Sequence, residues 1–320
     1  MKGEGVSPWI VLVGPTGVGK TAVAEQMALA LGTDIIAADS RHVYRGLRIT
    51  TNKPTRLDQK RVARHLINLV SARETFSAGA YKKKAEQAIS DLEANEKPIL
   101  IEGGTGLYIK TLLYGLWESP PKDVLLRQSL IEMEEKEGEG TLHRKLQAID
   151  PASAQKIHFK DQYKLMRALE VFYKTGRQLS HIHAEHQQKK KEGHPFIMIG
   201  LRRDRDDLYR RIEARVDLQF QKGLVSEIKR LCEKRLSTEL PAMRTLGVTQ
   251  IASYLNGGCT LDAATALLKR DTRHYAKRQM TWFSADTNIT WLDLKEEETS
   301  DETCHRIHLL LTKKTAERSA

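Results

Sequence analysis

Residues Gly14-Pro15-Thr16-Gly17-Val18-Gly19-Lys20-Thr21 carry the glycine, lysine and threonine spacing of a P-loop. Each residue type has a task. Glycines let consecutive backbone N–H groups turn inward and approach phosphate oxygens. A helix starting at the end of the loop aims its positive dipole at the same anion. Lys20 adds a point charge, and the Thr21 hydroxyl is a ligand of the kind Mg²⁺ takes. Such a loop binds a phosphate chain; it does not by itself specify ATP hydrolysis. Two carboxylates follow short apolar runs, where ligands gather in open α/β sheets: Asp39, before Ser40, and Glu102, before two glycines. Asp39 suits a general base or a metal-side carboxylate, and also a cap for the turn that follows. Glu102 suits an oxygen donor toward Mg²⁺, and is a weak substitute for the strand-end aspartate of a P-loop kinase or NTPase.

The surrounding elements must bring these groups together. Residues 9–13 and 35–38 read as short buried strands, with a helix between them over 21–31 that Gly32 ends. Another helix is predicted over 78–94. Residues 98–101 form a third apolar run, followed by Gly103-Gly104-Thr105-Gly106 and a helix reaching residue 116. Alternating strands and helices predict an α/β domain with a parallel sheet. The character changes at Ser119-Pro120-Pro121: to about His194 there is no strand pattern, only charged helical segments such as Glu134-Glu135-Lys136-Glu137 and Lys189-Lys190-Lys191. A strand at 196–199 returns to the sheet. Helices over 206–222, 225–234 and 261–283 and a strand at 289–292 follow, and the charged tail from Lys295 is expected to fray. The expected organisation is a core in two parts, 1–118 and 196–320, around a helical insertion, 119–195.

Composition narrows the partners. With 52 Lys and Arg against 41 Asp and Glu, the 320-residue chain has a net charge of +11, which favours a polyanion. Cys232, Cys259 and Cys304 lack CxxC spacing, so neither a disulfide framework nor a zinc site is expected. The apolar run at 9–13 ends at once in glycines, unlike a signal peptide, and no stretch approaches the roughly 18 apolar residues of a membrane span. A cytoplasmic location is expected.

The run Asp39-Ser40-Arg41-His42-Val43-Tyr44-Arg45-Gly46-Leu47, with Lys53-Pro54-Thr55 beyond it, resembles the signature of tRNA dimethylallyltransferases, the bacterial-type IPP transferase family. The likeness continues through Gly103-Gly104-Thr105-Gly106-Leu107-Tyr108, Asp150-Pro151 and Arg167-Ala168-Leu169-Glu170-Val171. It goes on through the segment 208–217, Arg244-Thr245-Leu246-Gly247, Arg270-Asp271-Thr272-Arg273, Tyr275-Ala276-Lys277-Arg278-Gln279 and Thr281-Trp282-Phe283. It spans nearly the whole chain, in order. The resemblance implies a P-loop NTPase-like parallel sheet flanked by helices, with an inserted all-helical domain that grips tRNA. It implies transfer of a dimethylallyl group from dimethylallyl diphosphate to the N6 amine of the adenosine 3′-adjacent to the anticodon, with Mg²⁺ as cofactor and Thr21 as its ligand. Asp39 matches the family's general base and Thr105 a substrate-contacting threonine. Arg211 and Arg215 both lie in the segment that supplies a diphosphate-side arginine. Contacts to the tRNA anticodon stem-loop are implied for Ser40, Arg41 and His42, and for Tyr163, Lys164, Leu165, Met166 and Arg167. Arg244, Gly247, Arg273, Lys277 and Arg278 are implied as well. No membrane and no obligate protein partner are implied.

The chain departs from the family pattern in places. His42 stands where glutamine is usual, Thr50-Thr51-Asn52 where a small Gly-Thr-Ala run is usual, Val248 in place of an aromatic, and Glu102 in place of an apolar or small residue. These departures bear on recognition of the base more than on reaction class, and a free-nucleotide isopentenyltransferase is the competing expectation. Between 261 and 283, Lys269, Arg273 and Lys277 recur every four residues beside a row of Arg270, His274 and Arg278, which predicts one broad cationic helix face. His181, His183 and His186 do not follow a zinc spacing and read as a solvated helix end.

Overall fold

The computed structural model describes residues 7–117, 120–189 and 194–319. It divides into two compact units, Met1–Leu113 with His194–Ala320, and Tyr114–Gly193. The first unit opens with β1 (Trp9–Val13), α1 (Lys20–Leu31), β2 (Ile35–Ala38), α2 (Arg56–Arg61), β3 (Arg64–His65), α3 (Ala78–Glu93), β4 (Leu100–Gly103) and α4 (Gly106–Tyr114). The second is helical: α5 (Val124–Glu137), α6 (Thr141–Ile149), α7 (Pro151–Lys156), α8 (Gln162–Thr175) and α9 (Leu179–Lys189). The first unit resumes with β5 (Phe196–Arg203), α10 (Arg205–Gln221), α11 (Leu224–Cys232), α12 (Val248–Leu255), α13 (Leu261–Ser284), β6 (Ile289–Leu294) and α14 (Ser300–Ser319).

The six strands of the described residues form one parallel sheet in the order β3-β2-β4-β1-β5-β6. Central strands of such a sheet are covered on both faces, which is why β1 and β2 read as unbroken apolar runs. Ile10, Leu12, Met27, Ile35, Leu100, Ile199 and Leu201 share one core cluster. The third strand lies two residues later than the apolar run suggested. Glu102 and Gly103 continue the ladder, pairing with Leu12 and Val13 of β1 and Ala37 and Ala38 of β2. Gly103 is required there, since a Cβ would lie 2.2 Å from the Ala38 carbonyl oxygen.

The tail does not fray as expected: it forms α14. Thr299 and Glu302 cap it reciprocally, each backbone N–H bonded to the other's side chain at 2.9 and 3.2 Å. Ile307 is fully buried in the cluster that holds Met27 of α1. Charged residues fill the exposed positions of an amphipathic helix, and these masked its sparse apolar stripe in the sequence.

The helical unit has its own core, which includes Leu130, Leu142, Leu146, Leu165 and Leu169. At its centre the fully buried Glu170 accepts from Arg127 at 2.9 and 2.8 Å, from Arg167, and from the Asp123 N–H at 2.7 Å. Burial alone would raise this carboxyl, but the arginines and the amide outweigh it and hold it at about 2. A depressed carboxyl stabilises the fold above its unfolded value of 4.5 and loses that contribution as pH falls toward 2. The contribution is about 3 kcal/mol. The Tm deficit of Glu170→Gln relative to the native chain is therefore expected to be largest above pH 5 and to shrink on acidification. A deficit that stays constant down to pH 3 would assign the loss to packing instead.

Candidate active site

The P-loop is built by close packing. Gly14 has φ 144, and a Cβ there would sit 2.5 Å from the Leu201 carbonyl oxygen of β5. Gly19, with φ 110, takes the left-handed turn that starts α1. Only glycine meets either demand. Lys20 is buried under the loop, donating to the Pro15 carbonyl at 2.7 Å. Desolvation pulls its ammonium down to about 8 against the opposing pull of Glu102. Gln279 of α13 locks the loop from outside, accepting from the Thr16 N–H and donating to the Gly104 carbonyl, each at 2.8 Å.

Glu102 closes the floor. Its carboxylate accepts from the Thr21 hydroxyl at 3.5 Å and pairs with the Arg64 guanidinium at 3.3 Å, and Arg64 also holds the Thr21 carbonyl at 3.1 Å. Thr21 and Glu102 thus present hard oxygen donors beside the phosphate cradle, a set that suits Mg²⁺.

A cavity of about 370 Å³ opens next to the loop, lined by Thr16, Asp39, Ser40, Arg41, Arg215 and Tyr275 among others. Asp39 stands at the end of β2. Burial would raise its carboxyl, yet His42, the Arg41 N–H at 2.8 Å and Lys20 together hold it below the ordinary value. His42 Nε2 lies 3.7 Å from Asp39 and 3.0 Å from the Thr51 carbonyl, so the histidine bridges the Asp39 carboxylate and the next loop. Thr105 serves that turn differently: its hydroxyl accepts from the Ser40 N–H at 2.9 Å and so fixes Ser40 beside Asp39.

The two candidate arginines take different stations. Arg211 Nε donates to the Gly17 carbonyl at 3.2 Å on the exposed side of the loop. Arg215 Nη1 donates to the Thr16 hydroxyl at 3.2 Å and lines the cavity. Burial lowers the Arg215 guanidinium, and Asp39 and Glu102 oppose that.

The predicted cationic face of α13 divides in two. Arg273 pairs with Glu213, and Lys269 with Asp217 at 2.7 Å, so this row is a seam with α10. Arg270 pairs with its neighbour Asp271. His274, Lys277 and Arg278 remain exposed, and Arg278 also lines the cavity with Arg244. Gly247 (φ 95) starts α12 and lets the chain pass Thr50, whose Cγ2 would be 3.1 Å from a Cβ there. In the helical unit Tyr163 and Lys164 are exposed on α8, whereas Leu165 is fully buried, Met166 packs against the core and Arg167 is committed to Glu170. The side chain of His186 lies outside the described residues; among those described no histidine, cysteine or carboxylate cluster suited to a metal occurs.

Some residues of the site had no signal in the sequence. Glu227 of α11 accepts from the N–H groups of Arg48, Ile49 and Thr50 and from the Thr50 hydroxyl, at 2.7 to 2.9 Å. Gln219 holds the Ile49 and Thr50 carbonyls at 3.0 and 2.9 Å. These contacts shape one wall of the cavity from positions some 170 residues away in sequence, a pairing no local pattern reveals.

Residues 42–286 match the sequence pattern of the IPP transferase family. The tRNA dimethylallyltransferase 2 of Geotalea uraniireducens is 42% identical over 294 residues, 92% of this chain and 94% of that protein. The tRNA dimethylallyltransferase of Geobacter sulfurreducens is 41% identical over 284 residues, 89% of this chain and 91% of its own length. Among solved structures, the full-length tRNA isopentenylpyrophosphate transferase of Bacillus halodurans superposes with a TM-score of 0.72 at 33% identity, covering 98% of both chains. A eukaryotic dimethylallyltransferase, solved acting on tRNA, gives a TM-score of 0.76 at 27% identity over 90% of this chain and 74% of its own.

Proposed function

The chain belongs to the IPP transferase family, and from that premise we infer that it transfers a dimethylallyl group from dimethylallyl diphosphate to N6 of the adenosine 3′-adjacent to the anticodon in tRNA. One observation carries the reading at the level of chemistry: Thr16 of the loop, Arg215 and the Asp39 carboxylate line a common cavity. That is the arrangement an allylic transfer needs, with leaving-group stabilisation at one end and a proton acceptor at the other.

In this reading the diphosphate lies on the loop amides, with Lys20 beneath and Arg211 and Arg215 at its flanks. The N6 lone pair forms the new bond to the allylic carbon as the carbon–oxygen bond breaks and its electron pair leaves with diphosphate. Asp39 takes the proton from N6. The adenosine must leave its stack to enter the cavity. Thr21 and Glu102 would hold Mg²⁺, which when bound supplies further charge to the leaving diphosphate. Arg41, Arg244 and Arg278 line the entrance to base and backbone, and Tyr163 and Lys164 offer contacts on the helical unit.

The deciding experiment is a transfer assay with labelled dimethylallyl diphosphate, unmodified tRNA and AMP. Label in tRNA and none in AMP is expected; label in AMP alone would overturn the acceptor. Because the cations at issue neutralise phosphates and displace counterions, tRNA affinity should fall steeply with salt. The expected slope of log K against log[salt] for about four contacts is roughly −3 to −4. A flat response in a filter-binding series would count against a tRNA partner.

A further inference from the structure

We propose that Asn52 is the positioning residue for Arg215, one of the two arginines flanking the diphosphate, a neutral amide that fixes it beside the P-loop without cancelling its charge. The proposal rests on the diphosphate-binding reading of that loop. With its amide oxygen turned toward α10, the orientation that satisfies both ends of the group, Asn52 accepts from Arg215 Nε at 2.8 Å and Nη2 at 2.9 Å and from Gln219 at 2.6 Å. The third nitrogen, Nη1, is left to reach Thr16 of the loop at 3.2 Å.

The partners of neighbouring cations show what is unusual here. Arg203, Arg210 and Arg273 each hold a carboxylate: Asp207, Glu296 and Glu213. Arg203 also reaches the P-loop, at the Val18 carbonyl, and keeps its carboxylate partner; Arg211 and Arg215 hold neutral acceptors instead. Arg211 donates to the Gly17 carbonyl and Arg215 to Thr16 and Asn52, and among the described residues no carboxylate forms an ion pair with either. A planar guanidinium gripped on one edge is oriented before the ligand arrives, so less freedom is lost on binding. An amide does this while leaving the full positive charge for an anion; a carboxylate in the same place would spend it.

Asn52 is itself held rigidly. Its backbone has φ 51, a left-handed conformation that asparagine tolerates better than most residues. The residues before it are clamped by Glu227 and Gln219. An alternative role is contact with the acceptor base, since Asn52 lines the cavity.

The test uses the full chain, inorganic diphosphate with Mg²⁺ in calorimetry, and separate KM values for dimethylallyl diphosphate and tRNA. Asn52→Asp keeps the acceptor and the backbone preference but adds a charge; it is expected to weaken diphosphate binding by about tenfold or more, with an unchanged KM for tRNA. Asn52→Gly keeps the backbone and removes the acceptor; it is expected to show a smaller loss in the same two diphosphate readouts. Variants that bind diphosphate as the native chain does, or a loss confined to the KM for tRNA, would overturn the proposal. A native chain that fails to bind diphosphate would overturn the P-loop reading as well, and so separates the two failures.

Discussion

Asp39→Asn is expected to lower the transfer rate by about 10²–10⁴-fold, the range a positioned general base supplies, while leaving diphosphate affinity close to native. The substitution is isosteric, so the Arg41 N–H keeps an acceptor and the turn after β2 should survive. What disappears is the ability to take a proton. The exocyclic amine of adenine is a poor nucleophile and becomes acidic only as its bond to carbon forms. A carboxylate held below its ordinary value of 3.8 is a weak base before attack and a sufficient one after it. The depressed value also has a consequence in pH: Asp39 is charged throughout the neutral range, so its own titration produces an acid limb only below the ordinary carboxylate range. Single-turnover rates across pH 5–9, with tRNA and dimethylallyl diphosphate prebound, are the measurement. A rate for Asp39→Asn within a few-fold of native would show that Asp39 only shapes the turn, as a capping residue does.

The parts of this molecule that were legible in its sequence are those in which neighbours along the chain are also neighbours in function. The P-loop is one contiguous segment whose glycines answer local backbone demands, and β1 and β2 are continuous apolar runs because both their faces are covered. The insertion reads as helical because its charged segments carry no strand-like apolar run. Legibility failed where a residue's role depends on a distant partner. Periodicity put Lys269 and Arg273 on one cationic face, but Asp217 and Glu213 of α10 pair with them and tie that row to α10 at the surface. The resemblance offers Arg167 as an RNA contact, and no local pattern shows that its guanidinium is also held by the fully buried Glu170 three residues on. The bounds of β4 were misplaced for a related reason. Glu102 looks too polar for a strand interior until Arg64, brought alongside by β3, supplies its counter-charge.

Lys20→Met is expected to cost about 10²–10³-fold in kcat/KM for dimethylallyl diphosphate, comparable with removing one preorganised donor from a developing oxyanion, and to leave the fold intact or more stable. The two halves of this expectation come from the same fact. Lys20 is a buried ammonium whose value is pulled from 10.5 to about 8 by desolvation, with Glu102 opposing. A lysine depressed in the folded state costs stability wherever it is charged, below about pH 8, and the cost is relieved as pH rises through that value. Methionine fills similar volume without the charge, so the Tm of the variant at pH 7 should match or exceed native. A bound diphosphate reverses the balance by supplying the negative partner the ammonium lacks. Binding should therefore draw a proton onto Lys20 at pH 8–9, and diphosphate affinity of the native chain should weaken as pH climbs through about 8. Calorimetry at pH 8.5 in two buffers of different ionisation enthalpy would register that uptake as a buffer-dependent heat, absent from Lys20→Met. A lower Tm with no loss of diphosphate affinity would instead make Lys20 a structural strut for the Pro15 carbonyl, and the loop would have to bind its anion through backbone amides and arginines.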